Sequence, residues 1–158
     1  MLPDSERGLA AIMYTDLSGY TALSQRDESS ALQLLEEHRK IVRPLFGKFG
    51  GREIKTMGDA FLVEFASALE AVRCAFEIQC DLHEFNSKRP LGSRADMRIG
   101  LHLGDVVHRG GDLYGDTVNV ASRIEPLAVP GGICFSEEIF RQLKNKFEFP
   151  VESLGAKQ

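Results

Sequence analysis

The stretch from Arg52 to Phe65, REIKTMGDAFLVEF, reads as two short β-strands broken by Gly58 and Asp59. Glycine and aspartate are the residues that tight turns require, so the segment folds back on itself as a hairpin. Turn chemistry accounts for Gly58 but not for the charges. Lys55 stands just before the break and Asp59 within it, each beside an otherwise apolar strand.

Working outward, each side of the hairpin offers a strand and a helix. Residues 9–15, LAAIMYT, form a buried strand that exits at Asp16, and Gly19 then turns the chain toward a helix. A helical period follows Ser29, the expected N-cap, with Leu32, Leu35, Val42, Leu45 and Phe46 sharing a face and His38 near it. Gly47, Gly50 and Gly51 are expected to stop it. Beyond the hairpin, Ser67-Ala68-Leu69-Glu70 is a capping box opening a second helix that carries Ala68, Ala71, Val72, Ala75, Phe76, Gln79 and Leu82. MRIGLHLGDVVHR alternates as a long strand or a bent pair, interrupted by Gly110 and Gly111. Asp116 or Thr117 can cap a further helix through Val118, Ala121, Ile124 and Glu125, ended by Pro126. A short strand at 133–135, a short helix capped by Ser136 and an alternating tail, KFEFPVESLG, complete the chain. The order β-α-β-β-α-β followed by αβαβ predicts an α+β fold. It is a ferredoxin-like βαββαβ core with a C-terminal αβαβ extension, two helices covering one face of a mostly antiparallel sheet.

The chain has 158 residues, which suits one domain. Its net charge of −4, with 27% charged residues, argues against an electrostatic nucleic-acid binder and for small-molecule or protein partners. Cys74, Cys80 and Cys134 are an odd set without C-x-x-C spacing, expected as buried thiols in a reducing compartment. No run approaches a membrane span and no leader is evident, so a cytoplasmic protein without direct membrane contact is expected.

In a ferredoxin-like order the first and third strands are neighbours, which brings Asp59 beside Asp16 across 43 positions. Two carboxylates so placed repel unless a cation or proton lies between them. Hard oxygen donors suit Mg²⁺ or Mn²⁺, ions that share their ligands with substrate phosphates. Gly19, close after Asp16, lets backbone N–H groups face an anion, and the helix behind it adds donors suited to a triphosphate. Leu17, Ser18, Gly19, Tyr20 and Thr21 are therefore candidate phosphate-binding residues. Metal carboxylates beside a phosphate nest point to phosphoryl or nucleotidyl transfer.

The segments YTDLSGYTAL, REIKTMGDAF and DLYGDTVNVASRIE, in this order and spacing, resemble the catalytic domain of class III nucleotidyl cyclases. The resemblance spans about residues 9–150. It implies attack of the ribose 3′-hydroxyl on the α-phosphorus of the same nucleotide. Asp16 and Asp59 would hold two Mg²⁺ or Mn²⁺ ions per site, with the backbone carbonyl of Leu17 as a further ligand. It makes Lys55 and Asp112 the base-reading pair, Asn119 the residue positioning the ribose, and Arg123 the one stabilising charge on the α-phosphate. Adenine N1 accepts from an ammonium and its amine donates to a carboxylate, so Lys55 with Asp112 implies ATP and an adenylyl cyclase. Guanylyl enzymes usually carry glutamate and a small residue such as cysteine there. The resemblance also implies a head-to-tail homodimer, one subunit giving Asp16 and Asp59 and the other Lys55, Asp112, Asn119 and Arg123.

Two features depart from the family pattern. The usual Leu-Lys-Gly turn after the last strand is missing, and Lys157 does not stand in such a motif, so the domain is cut short at its C-terminus or lacks the phosphate lysine. The connection from Val107 to Asp112 is short, which shrinks the dimerisation arm. Alternatives are a guanylyl cyclase and a regulatory nucleotide-binding module, the latter expected to lose a metal aspartate, Asn119 or Arg123. A regulatory domain, attached or separate, is expected in any case. Gly110-Gly111-Asp112 does not continue as a diguanylate cyclase motif, and His102 and His108 lie too far apart to chelate one ion.

Overall fold

The computed structural model describes residues 6–143, 145–146 and 150–156. Its sheet runs in the order β2-β3-β1-β4-β5, from β1 (Glu6–Ser18), β2 (Gly51–Met57), β3 (Ala60–Phe65), β4 (Asp96–Arg109) and β5 (Asp112–Tyr114). β6 (Ile133–Phe135) pairs in parallel with β4, and the other neighbours are antiparallel. The predicted βαββαβ order holds, with α2 (Glu28–Lys48) and α3 (Ala68–Ser87) as its two long helices.

β1 is buried on both faces, which explains its nearly unbroken apolar run. Ala11, Met13 and Leu17 pack into the main core beneath α2 and α3, with Phe61, Phe65, Ile78 and Leu82. Ala10 and Ile12 face the other way, into a second core with Leu62, Val106, Leu113 and Ala121. Ala121 belongs to α4 (Asp116–Ile124), so the sheet is covered on both faces and not on one as expected. Two glycines on β4 make this possible. A Cβ at Gly100 would stand 2.5 Å from the backbone nitrogen of Glu125, and one at Gly104 would stand 2.5 Å from Thr117 Oγ1. Thr117 then donates to the Asp105 carbonyl at 2.6 Å, tying the start of α4 to the strand. Gly100→Ala is expected to cost about 1–3 kcal/mol of unfolding free energy in denaturant melts, because backbone and not a flexible side chain must yield.

Several local expectations change. Asp27 caps α2 in place of Ser29, accepting from Ser30 N at 3.1 Å. Leu32 is exposed and not on the buried face. Asp16 is not at the strand exit, since β1 continues through Ser18 opposite Asp96. Neither Asp116 nor Thr117 caps α4; its N-cap is Gly115, without a side-chain bond. Cys74 is buried, whereas Cys80 is exposed and Cys134 intermediate. The Ser67 cap stands, accepting from Glu70 N at 3.2 Å. Of the alternating tail, residues 147–149 lie outside the described residues, as does Lys157, and 150–156 form no strand. Between β6 and that tail lies α5 (Glu137–Leu143). Among the described residues no helix is long and apolar enough to cross a membrane.

His38 is 1% exposed with neither ring nitrogen hydrogen-bonded, its ring against Phe85. Burial first, then the charge of Arg89, lower its pKa to about 4. The native state holds it neutral, so its share of stability is whole above the unfolded value near 6.5 and is lost as pH falls toward 4. At about 1.4 kcal/mol per pH unit, the loss is on the order of 3 kcal/mol. His38→Leu is expected to flatten this acid limb in urea melts at pH 7, 5.5 and 4.5.

Candidate active site

The hairpin and β1 bring the two aspartates together through the backbone. Asp59 Oδ2 accepts from the N–H of Leu17 at 3.1 Å, which places its carboxylate at the residue following Asp16. Gly58, at φ 63°, makes the turn that carries Asp59, in a conformation costly for a side chain. Arg39 of α2 donates to the Gly58 carbonyl at 2.7 Å, and Thr15 Oγ1 accepts from Phe61 N at 3.1 Å. The turn is thus held from both sides.

Asp16 Oδ1 is buried with no hydrogen-bond partner, an oxygen that a hard cation would satisfy. Among the described residues no group of three or more His, Cys, Asp or Glu side chains converges. The donors present, two carboxylates and a nearby carbonyl, fit an ion that keeps waters and takes its remaining ligands from phosphates. Beyond Leu17 and Ser18, Gly19 adopts φ 85° as the N-cap of α1 (Tyr20–Arg26), with no side-chain cap competing for the first amides at Tyr20 and Thr21.

The other candidates gather around β5 and α4. The β2–β3 register shifts between Glu53 and Lys55, and beyond this bulge Lys55 lies opposite Leu62. The bulge lets Ile54 pack on the second core while Lys55 reaches β5. Lys55 Nζ bonds Asp112 Oδ2 at 3.0 Å, and Asp112 Oδ1 accepts from Leu113 N at 2.7 Å. The hydrogen bond from Lys55, followed by that from Leu113, holds the Asp112 carboxyl below the usual carboxylate range. Lys55 and Asn119 line one surface cavity of about 500 Å³, with Leu113, Tyr114, Gly115, Asp116 and Val118. Arg123 follows Asn119 one turn later, exposed, 3.9 Å from Asp116. Asp16 and Asp59 do not line that cavity. His102 and His108 are engaged with Ser136 and Glu64 respectively.

Residues 3–157 match the family of the adenylate and guanylate cyclase catalytic domain. The chain belongs to that family. It is 44% identical over 150 residues to a Rhizobium meliloti (strain 1021) protein named "Putative adenylate cyclase 3", covering 94% of this chain. It spans only 26% of that relative's length. Among solved structures, an adenylate/guanylate cyclase/hydrolase from Silicibacter pomeroyi superposes with a TM-score of 0.92 at 36% identity, covering 98% of this chain and 90% of that one. A monomeric guanylyl cyclase domain of the RhoGC fusion protein from Blastocladiella emersonii gives 0.80 at 26% identity, covering 96% and 93%. The fold is that of the class III cyclase domains.

Two further residues beside these candidates were passed over in the sequence reading. Glu125 is 4% exposed, and burial first, then hydrogen bonding to Asp16 and the charge of Asp16, push its carboxyl well above the usual range. Tyr14 stands between the two sets of candidates. Its phenol is pushed up first by burial and then by Glu125, Asp16 and Asp59, while Lys55 opposes the shift. Tyr14 follows core periodicity and Glu125 a helix end, so neither stands out in the sequence. The one available signal was Gly100, whose missing side chain admits the backbone of Glu125.

Proposed function

We propose that this chain is the catalytic domain of an adenylyl cyclase, converting ATP to 3′,5′-cyclic AMP and pyrophosphate at sites shared by a homodimer. The observation that carries the choice of ATP is the Lys55–Asp112 pair, 3.0 Å apart, whose lysine lines the cavity together with Asn119. A paired ammonium and carboxylate meet the acceptor and donor edge of adenine and leave guanine mismatched on both atoms.

In this reading Asp16, Asp59 and the Leu17 carbonyl hold two Mg²⁺ or Mn²⁺ ions. When bound, these ions would acidify the ribose 3′-hydroxyl and screen the triphosphate. The 3′-oxygen forms its bond to the α-phosphorus as the bond to the β-phosphate oxygen breaks, and the hydroxyl proton passes to water. Asn119 orients the ribose. Arg123 meets the charge growing on the α-phosphate with a rigid donor fork. With the Leu17 N–H taken by Asp59 and β1 running through Ser18, it is the turn at Gly19–Thr21 that faces the terminal phosphates with its amides. We take residues 1–158 as one catalytic domain working in the cytoplasm under a regulatory domain. The much greater length of its relative supports that last point.

Division of the site between subunits is tested by complementation. Asp59→Asn and Arg123→Ala are each expected to be inactive alone. Mixed in equal amounts, they should recover up to about a quarter of wild-type activity, because random pairing makes half the dimers mixed and each mixed dimer keeps one intact site. A mixture as inactive as its components would contradict sharing.

A further inference from the structure

Lys55 and Asp112 stand on β2 and β5, the two ends of the strand order β2-β3-β1-β4-β5. Their 3.0 Å bond therefore requires the sheet to curl until its edges meet. Glu64 sits in the crook of that curl, its side chain 14% exposed, on the face of β3 that sends Leu62 into the second core. Its Oε1 accepts from Arg52 of β2 at 3.0 Å, and its Oε2 is bonded to His108 Nε2 of β4. The second bond crosses β1 diagonally. In the ladders Glu64 stands opposite Ile12 and His108 opposite Glu6, six residues apart along β1. In a flat sheet that offset would be about 20 Å, so the two meet only because the end of β4 folds back over the face. The same end carries β5, where His108 pairs with Leu113, the neighbour of Asp112. At the other edge, Arg52 faces Glu64 just before the register shift that precedes Lys55. Packing alone would favour an apolar side chain at Glu64, because a mostly buried acid is costly unless its oxygens are met. Arg52 and His108 meet them, one from each arm that carries a member of the base-reading pair.

We propose that Glu64 is a positioning residue for base selection, gripping Arg52 with one oxygen and His108 with the other and so fixing how far β5 closes toward β2 and how Lys55 and Asp112 are spaced. It acts through that pair and not on the nucleotide. The inference rests on the reading of Lys55 and Asp112 as the residues that meet adenine. A bulged strand holds its register only where something pins it, and Arg52 is the pin on the near side of the bulge. The exposed Arg52 adds little stability by its ion pair, so its contribution is one of direction. Misplacing a binding group by about 1 Å can cost as much as about 10²-fold.

The test is calorimetric binding of 3′-deoxy-ATP and of 3′-deoxy-GTP in the presence of Mn²⁺, with thermal melting alongside. These nucleotides lack the attacking hydroxyl, so base selection is read without turnover. Glu64→Leu is expected to bind 3′-deoxy-ATP about 10-fold more weakly and to lose about 10-fold of its preference over 3′-deoxy-GTP. His108→Phe keeps a ring without the hydrogen bond and should behave in the same way; it carries the test alone should Glu64→Leu not fold. Glu64→Gln and His108→Gln retain a hydrogen bond between the two positions and are expected to stay within about threefold of wild type. In a Lys55→Ala background Glu64→Leu should change the preference no further, because its effect passes through the pair. Equal loss in both backgrounds would overturn the proposal, as would wild-type preference in folded Glu64→Leu or His108→Phe protein, whatever happens to the melting temperature. If Lys55→Ala itself leaves the preference unchanged, the base-reading assignment fails first and the role of Glu64 falls with it.

Discussion

Asp59→Asn is expected to lower cyclic nucleotide formation by about 10³-fold or more while the protein still melts cooperatively near the wild-type temperature. The asparagine side-chain oxygen can still accept from Leu17 N, so the bond that fixes the β2–β3 turn against β1 survives. Arg39 continues to hold the Gly58 carbonyl from the other side. What disappears is one of two negative charges around a cation whose work is to stabilise charge in the transition state, and losses of that kind commonly reach 10²–10³-fold or beyond. Activity assays with Mn²⁺ in excess, together with thermal melts, separate a lost ligand from a lost fold. A loss below about tenfold at saturating Mn²⁺ would remove Asp59 from the metal site.

Exchange of the base-reading pair is expected to give the second large effect. Lys55→Glu combined with Asp112→Cys offers an acceptor to guanine N1–H and a weak donor to O6, and mismatches adenine at both positions. A site that hydrogen-bonds its substrate can reject a mismatched one by 10⁴–10⁵-fold. Here Lys55 is 42% and Asp112 29% exposed at the side chain, and water can stand in for part of the lost pairing. The ratio of kcat/KM for ATP over GTP is therefore expected to fall by about 10²-fold or more. Steady-state assays with both nucleotides read it directly. An unchanged ratio would mean that the pair is a surface ion bridge and that another feature reads the base.

The parts of this fold legible in the sequence are those set by local rules. The Arg52–Phe65 hairpin carries its turn residues at its tip between two short β-runs, so its existence and the approach of Asp59 to Asp16 followed from order alone. The Ser67 capping box is legible for the same reason, a bond spanning three residues. Features that depend on what is missing were not legible. Gly100 and Gly104 read as members of an alternating strand, and only the fold shows that α4 seats in the space they leave. Glu125 reads only as the last residue of the helix that Pro126 ends, since burial of a charge is a tertiary fact. The bulge at Ile54 leaves no mark in the strand's composition, yet it turns Lys55 toward Asp112. Asp27 and Ser29 are both good caps two residues apart, and the choice between them came from where the backbone leaves α1.

The most direct measurement of the central claim is product formation from ATP and from GTP, each with Mn²⁺ and with Mg²⁺, across a wide range of protein concentrations. The account predicts cyclic AMP from ATP, with GTP a poor substrate and a rate rising as the square of protein concentration while dimers are scarce. Metal-dependent ATP binding without cyclic product at any concentration would contradict it and leave a nucleotide-binding module.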